Sequence, residues 1–160
     1  MRHRCPILLC AVTVATIAAH PAPLHRLTER TVRAFVEHQE RLWNRRDFAD
    51  FFALTAPEAV FTTERRAPDG TIRVERETVV QSRRSAEQAF AAISEFREKA
   101  TIDRIEIAPD GRNARIVGHE EADVLRAGGR RRLCADTEQG LVLREGRILS
   151  LGQTDRVRSC

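Results

Sequence analysis

The sequence predicts an α+β domain, with three helices packed on a curved, mostly antiparallel sheet of six strands. Three observations predict it. An amphipathic stripe of helical period opens the domain, a run of strands separated by Gly turns closes it, and a helical stripe interrupts the strands between. With 160 residues and a hydrophobic fraction of 42%, the chain has material for one core, and no Ser/Gly/Pro linker marks a second module.

The first elements follow from residue chemistry. Thr28 is placed to cap a helix whose first turn carries Glu29, where the helix dipole favours an acid. Val32, Phe35, Val36, Gln39, Leu42 and Trp43 recur at three- and four-residue spacing on one face, so this stripe carries one glutamine into the interior. Asp47 caps a short second helix with Phe48, Phe51, Phe52 and Leu54 as core, and Pro57 ends it. Strands over 60–66 and 71–80 flank the turn Pro68-Asp69-Gly70.

A third helix is read from Ser85 to Lys99, with Ala86, Ala89, Phe90, Ile93 and Phe96 as its buried stripe. Turns at Asp110-Gly111, Gly128-Gly129 and Glu145-Gly146 then separate strands near 101–108, 114–126, 131–143 and 147–157, read as one antiparallel meander.

The N-terminus has its own pattern. Arg2 and Arg4 precede an apolar run from Ile7 to Ala19 that ends in small residues, the pattern of a secretory signal peptide. The expected organisation is a signal peptide over 1–19, a flexible flank over 20–27 and a domain over 28–160. Periplasmic or secreted bacterial localisation follows, with no membrane association after cleavage, because the run is shorter than the roughly 20 residues of a spanning helix. Losing Arg2 and Arg4 takes the net charge from +4 to +2. That charge, with arginines interleaved among acids as in Arg73, Glu75, Arg76 and Glu77, excludes a nucleic-acid footprint. Cleavage removes Cys5 and Cys10 and leaves Cys134 and Cys160 as a disulfide candidate, against two free thiols or an intermolecular bridge. Closing that loop would contribute about 3 kcal/mol.

Strand alternation sorts the meander into faces. A three-residue turn at Glu145-Gly146 would put Leu141 and Leu143 on the same side as Leu149 and Leu151. The same parity brings Leu133, Ala135, Thr137 and Gln139 inward, opposite Gln153 and Asp155. A two-residue Gly128-Gly129 turn then points Ile116, Glu120, Ala122 and Val124 inward. The predicted ligand pocket is Gln39, Trp43, Phe52, Glu120, Thr137, Gln139 and Gln153, an apolar wall with convergent polar groups. The alternative is that the amides hydrogen-bond one another in a closed core. Catalytic residues are not identified beyond Glu120, a weak candidate base whose burial would raise its pKa. The other face carries His119, Glu121, Asp123, Asp136 and Glu138; an exposed, solvated face is favoured over a metal site. No cofactor motif appears, neither a Gly-rich phosphate loop nor zinc-ligand spacing. His3, His20, His25 and His38 are read as flank or helix-surface residues.

Leu42-Trp43-Asn44-Arg45-Arg46-Asp47-Phe48, Phe51-Phe52-Ala53-Leu54, Ala59-Val60-Phe61 and the tail from Leu141 to Ile148 resemble the nuclear transport factor 2-like superfamily. This is the cystatin-like cone fold of ketosteroid isomerases, SnoaL-like polyketide cyclases and scytalone dehydratase. The resemblance supports the fold more than any activity. It places the isomerase tyrosine at Gln39, the general-base aspartate at about Thr63 and the protonated aspartate near Gln139. None of these titrates near neutral pH, so isomerase chemistry by that route is not expected, nor does the dehydratase His–Asp pair fall in the pocket. The resemblance also implies homodimers paired through the outer sheet face, here heavily charged. Three functions stay open: an exported binder of a small apolar or amphipathic molecule, a lyase, isomerase or cyclase using Glu120, and a structural or partner-binding module with a closed core.

Overall fold

Thr28 caps the first helix through a reciprocal pair of bonds. Its hydroxyl accepts from the Thr31 N–H at 3.2 Å, while the Thr31 hydroxyl accepts from the Thr28 N–H at 2.9 Å. In the computed structural model, which describes residues 24–160, this cap opens α1 (Glu29–Asn44), followed by α2 (Phe48–Ala53), β1 (Val60–Arg66) and β2 (Ile72–Thr78). Then come α3 (Val79–Ala91), β3 (Ile93–Ile107), β4 (Asn113–Arg126), β5 (Gly129–Arg144) and β6 (Arg147–Arg158). The signal-peptide segment, Cys5, Cys10, His3 and His20 lie outside the described residues. The flank is not loose where it is described. The Leu24 N–H donates to the Gly146 carbonyl at 3.2 Å and the Leu27 N–H to that of Gly111 at 2.7 Å, and Leu27 is buried. Leu24 and Leu27 thus lie against the folded part just ahead of the Thr28 cap.

The third helix departs from the reading over 85–99. It starts at Val79, because Thr78 and Gln81 form a second capping box, with the Thr78 N–H donating to Gln81 Oε1 at 2.9 Å. It ends at Ala91, and Ile93 opens a 15-residue strand. Ala86, Phe90 and Ile93 are buried as the stripe predicted, but Ile93 and Phe96 are strand residues. Arg46, at φ 61°, holds the junction. Its guanidinium donates to the Ile93 carbonyl at 3.0 Å and lies 5.5 Å from the Phe90 ring centroid.

The sheet order is β2-β1-β6-β5-β4-β3, so the strands do not form a simple meander. β1 runs parallel to β6, and the other neighbours are antiparallel. The last hairpin turns in two residues, not three. Glu145 and Gly146 both have positive φ (51° and 74°), and Arg144 pairs with Arg147. Ile148 and Ser150, not Leu149 and Leu151, thus face the core beside Leu143 and Leu141. A bulge on β6 then restores the predicted parity, so that Gln139 pairs with Gln153 and Thr137 with Asp155. Gly152 makes the bulge possible. Its φ is 103°, and a Cβ there would lie 1.9 Å from the Val60 carbonyl oxygen of the parallel strand.

Two apolar clusters fill the space between helices and sheet. One joins Leu27, Val32, Phe35, Ile116, Leu141 and Leu143. The other joins Phe48, Phe52, Phe90, Ile93, Ala122 and Val124, with Trp43 edge-on to Phe48 and Phe90. Cys134 and Cys160 form a disulfide, Cα to Cα 5.4 Å, which fastens the C-terminus to β5.

Candidate functional site

Between the two clusters runs a polar belt. Along α1 the inward residues pass from Phe35 through Gln39 to Trp43; along β4 they pass from Ile116 through Gly118 and Glu120 to Ala122; along β5, from Leu141 to Gln139. The nearest inward neighbours of Glu120 across the sheet are Ala100 on β3 and Ala135 on β5. Small side chains flanking long polar ones leave space, and a cavity of about 170 Å³ occupies it. Val36, Trp43, Phe51, Phe52 and Phe61 form its apolar wall. Gln39, Gln139, Gln153, Glu40, Glu98 and Glu120 supply polar lining, as do Asp155, Thr63, Glu77 and Ser82.

The amides are partly spent on one another. Gln139 Nε2 donates to Gln39 Oε1 at 2.9 Å and to Ser150 Oγ at 3.1 Å, and all three residues are buried. Ser150 Oγ also accepts from the Gly152 N–H at 3.1 Å, tying this network to the bulge. Gln153 works differently. Its single Nε2 donates to Glu120 Oε1 at 3.0 Å and to Asp155 Oδ1 at 2.7 Å, holding two carboxyls together across β5. Glu98 is positioned by its backbone. Asn44 Nδ2 donates to the Glu98 carbonyl at 2.9 Å, and Asn44 Oδ1 accepts from the Glu98 N–H at 2.7 Å, which docks the end of α1 on β3.

Electrostatics follow from this crowding. Removal from water, then the negative charge of Asp155, push the Glu120 carboxyl up to about 8, against the stabilising Gln153 bond. Burial, then the charges of Glu120, Asp155 and Glu40, raise Glu98 well above the usual carboxylate range, opposed by the Trp43 indole N–H. Asp155 is raised by burial and relieved by Gln153 and by Arg65. The three carboxyls gain and lose protons as one group, holding protons to higher pH than ordinary acids.

No protein-family model matches the sequence, and no curated protein matches it; solved structures do. A conserved protein from Planctomyces limnophilus DSM 3776 is similar at TM-score 0.65 and 16% identity, covering 81% of this chain and 95% of the other. A ketosteroid isomerase-like protein from Erwinia carotovora atroseptica SCRI1043 is similar at TM-score 0.64 and 13% identity, covering 82% and 96%. An uncharacterised protein with a cystatin-like fold from Caulobacter vibrioides is similar at TM-score 0.59 and 16% identity, covering 81% and 89%. The fold is nuclear transport factor 2-like.

Within this nuclear transport factor 2-like cone, Gln39, Thr63 and Gln139, the positions the resemblance aligned with isomerase acids, all line the cavity. Trp43, Phe52, Glu120 and Gln153 join them there. Thr137 shares their face but is not among the lining residues, and Leu133, on the same face, is 46% exposed beyond the cavity. Glu98, Glu40, Glu77 and Ser82 also line the cavity, which the sequence pattern does not predict, and Asp155, inward by strand alternation, lines it with them. Glu98 was hidden by the extended third helix; the Thr78-Val79-Val80-Gln81 capping box was the signal that would have found it. On the outer face, Glu121 is paired with Arg132, Asp136 with Arg158, Glu138 with Arg115, and His119 with Asp103. Among the described residues, no three His, Cys, Asp or Glu side chains are grouped to hold a metal ion.

Proposed function

We propose that the chain is an exported protein that binds one small amphipathic molecule in the belt cavity. One observation carries the reading. Gln39 is only 5% exposed, its Oε1 accepts from Gln139, and its amide nitrogen has no partner among the described residues while the residue lines the cavity. That nitrogen is not sealed in protein, since the buried side-chain atom left without a partner among the described residues is Thr55 Oγ1; it opens on the cavity, where a ligand acceptor or water meets it. The size sets the ligand scale, since a cavity of about 150 Å³ accepts a single benzene ring. Export is supported by the N-terminal pattern and by the Cys134–Cys160 disulfide, a bond favoured in oxidising compartments.

Native mass spectrometry of the secreted protein tests this. The expected spectrum shows a chain shortened at its N-terminus, carrying one small adduct that denaturation releases. Gln39→Leu is expected to lose the adduct while its stability changes by less than about 1 kcal/mol. An uncleaved chain would remove the export proposal. A wild type that carries no adduct and takes up none from a small-molecule panel would leave the closed-core reading.

A second reading is favoured by Glu120. A carboxyl titrating near 8 and oriented by Gln153 in a cavity is poised for proton transfer to or from a bound substrate. In that case Glu120→Gln abolishes turnover and keeps binding.

A further inference from the structure

We propose that the cavity selects a cation, specifically a protonated amine carried on an apolar body of about single-ring size. This deepens the binding proposal and rests on it. The argument is one of charge accounting. Five different elements around the cavity each contribute an acid: Glu40 from α1, Glu77 from β2, Glu98 from β3, Glu120 from β4 and Asp155 from β6. Among the described residues, no arginine, lysine or histidine lines the cavity. Arg65 on β1 acts on Asp155, but it is exposed and outside the lining. Protein donors are few. Gln153 shares one nitrogen between Glu120 and Asp155, and Glu77 accepts from Ser85 Oγ at 2.6 Å.

In a chain holding 27 basic residues, the absence of a base from this lining is a property of the site rather than of the composition. The outer face of the same strands gives nearly every acid an arginine. An anion would add negative charge to a cluster that already suppresses its own ionisation. An ammonium supplies the missing counter-charge, and the faces of Trp43, Phe51, Phe52 and Phe61 attract cations as well as apolar groups. Gln39 is the independent sign that something other than protein completes the cavity: its free amide nitrogen fits an acceptor atom on the same ligand. Because the carboxyls hold protons when the cavity is empty, an entering ammonium displaces a proton from Glu98 or Glu120 to solvent, and the charge of the site balances.

Trp43 is the only tryptophan and lines the cavity, so its fluorescence reports occupancy. The disulfide-bonded protein is titrated at pH 7 with benzylamine, benzyl alcohol and benzoate, which match in size and differ in charge. Benzylamine is expected to give a saturable change at least about tenfold tighter than benzyl alcohol, with no response to benzoate. Calorimetry in two buffers of different ionisation heat is expected to show proton release. The Glu98→Gln/Glu120→Gln double variant is expected to lose the preference for the amine over the alcohol, the ratio of the two affinities falling to about one. Benzyl alcohol binding as tightly as benzylamine, or benzoate binding at all, overturns the cation assignment and leaves the cavity as a ligand site. A double variant that keeps the amine preference overturns it equally. Silence from all three probes overturns both proposals.

Discussion

Glu120 and Glu121 are adjacent on β4 and face opposite sides of the sheet. Glu121, outside, has Arg132 at 2.5 Å. Glu120, inside, has one amide nitrogen shared with Asp155 and, among the described residues, no base in the lining around it. The same contrast extends to neighbouring strands. The Arg115 guanidinium holds Glu138 below the usual carboxylate range, whereas burial lifts Glu98, Glu120 and Asp155 above it. The two faces therefore favour folding at opposite ends of the pH scale. Parity along a strand, not residue type, decides whether an acid is a solvated surface charge or an interior group held toward its protonated form.

The β6 bulge sets that parity for Gln153 and Asp155, so breaking it gives the largest effect. Gly152→Ala places a methyl against the Val60 carbonyl at a φ of 103° that alanine disfavours. A loss of about 3 kcal/mol or more is expected in urea unfolding, with weaker uptake of any cavity ligand. A loss below 1 kcal/mol would mean that β6 pairs with β1 and β5 without the bulge.

Next comes the inner face. A carboxyl whose folded-state pKa exceeds its unfolded value binds more protons when folded, so its stabilising contribution is complete at acid pH and disappears as pH rises. For Glu120 the window runs from its ordinary value of 4.5 to about 8. Glu98→Gln/Glu120→Gln keeps the shape and the Gln153 acceptor but cannot ionise. It is expected to match the wild type near pH 4.5 and to exceed it at pH 8.5 by on the order of 2 kcal/mol. Parallel curves for the two proteins across that range would show that the inner carboxyls ionise at no cost.

This contrast was partly legible in the sequence. The stripe from Val32 to Trp43 gave α1 and its inward glutamine because helical period survives small errors in end points. Glu120, Gln139 and Gln153 were assigned to the correct face for a less direct reason. The turn between β4 and β5 is Ala127-Gly128, one residue earlier than read, which slides the register by two and flips no side chain. The two-residue turn at Glu145-Gly146 would have reversed β6, but the bulge at Gly152 reversed it back. A bulge leaves little trace in apolar alternation, which therefore points Leu149 and Leu151 inward and passes over the buried Ser150. Nor could the acid excess of the cavity be read. Arginines are dense along the whole chain, and only the fold shows that they gather on the other side.

The smallest expected effect is on that other side. Glu121→Gln removes the Arg132 partner from a pair whose side chains are 57% and 42% exposed. Water and salt already screen such a pair, and holding two long side chains together offsets much of the attraction. The expected change is within about 0.5 kcal/mol, shrinking further at high salt, with pH dependence unaltered. Glu120 and Glu121 differ by one position, so these two substitutions isolate face from sequence context. If Glu121→Gln proves as costly as the inner substitutions are stabilising, the outer network is a cooperative structural element rather than a solvated surface, and the division between faces fails.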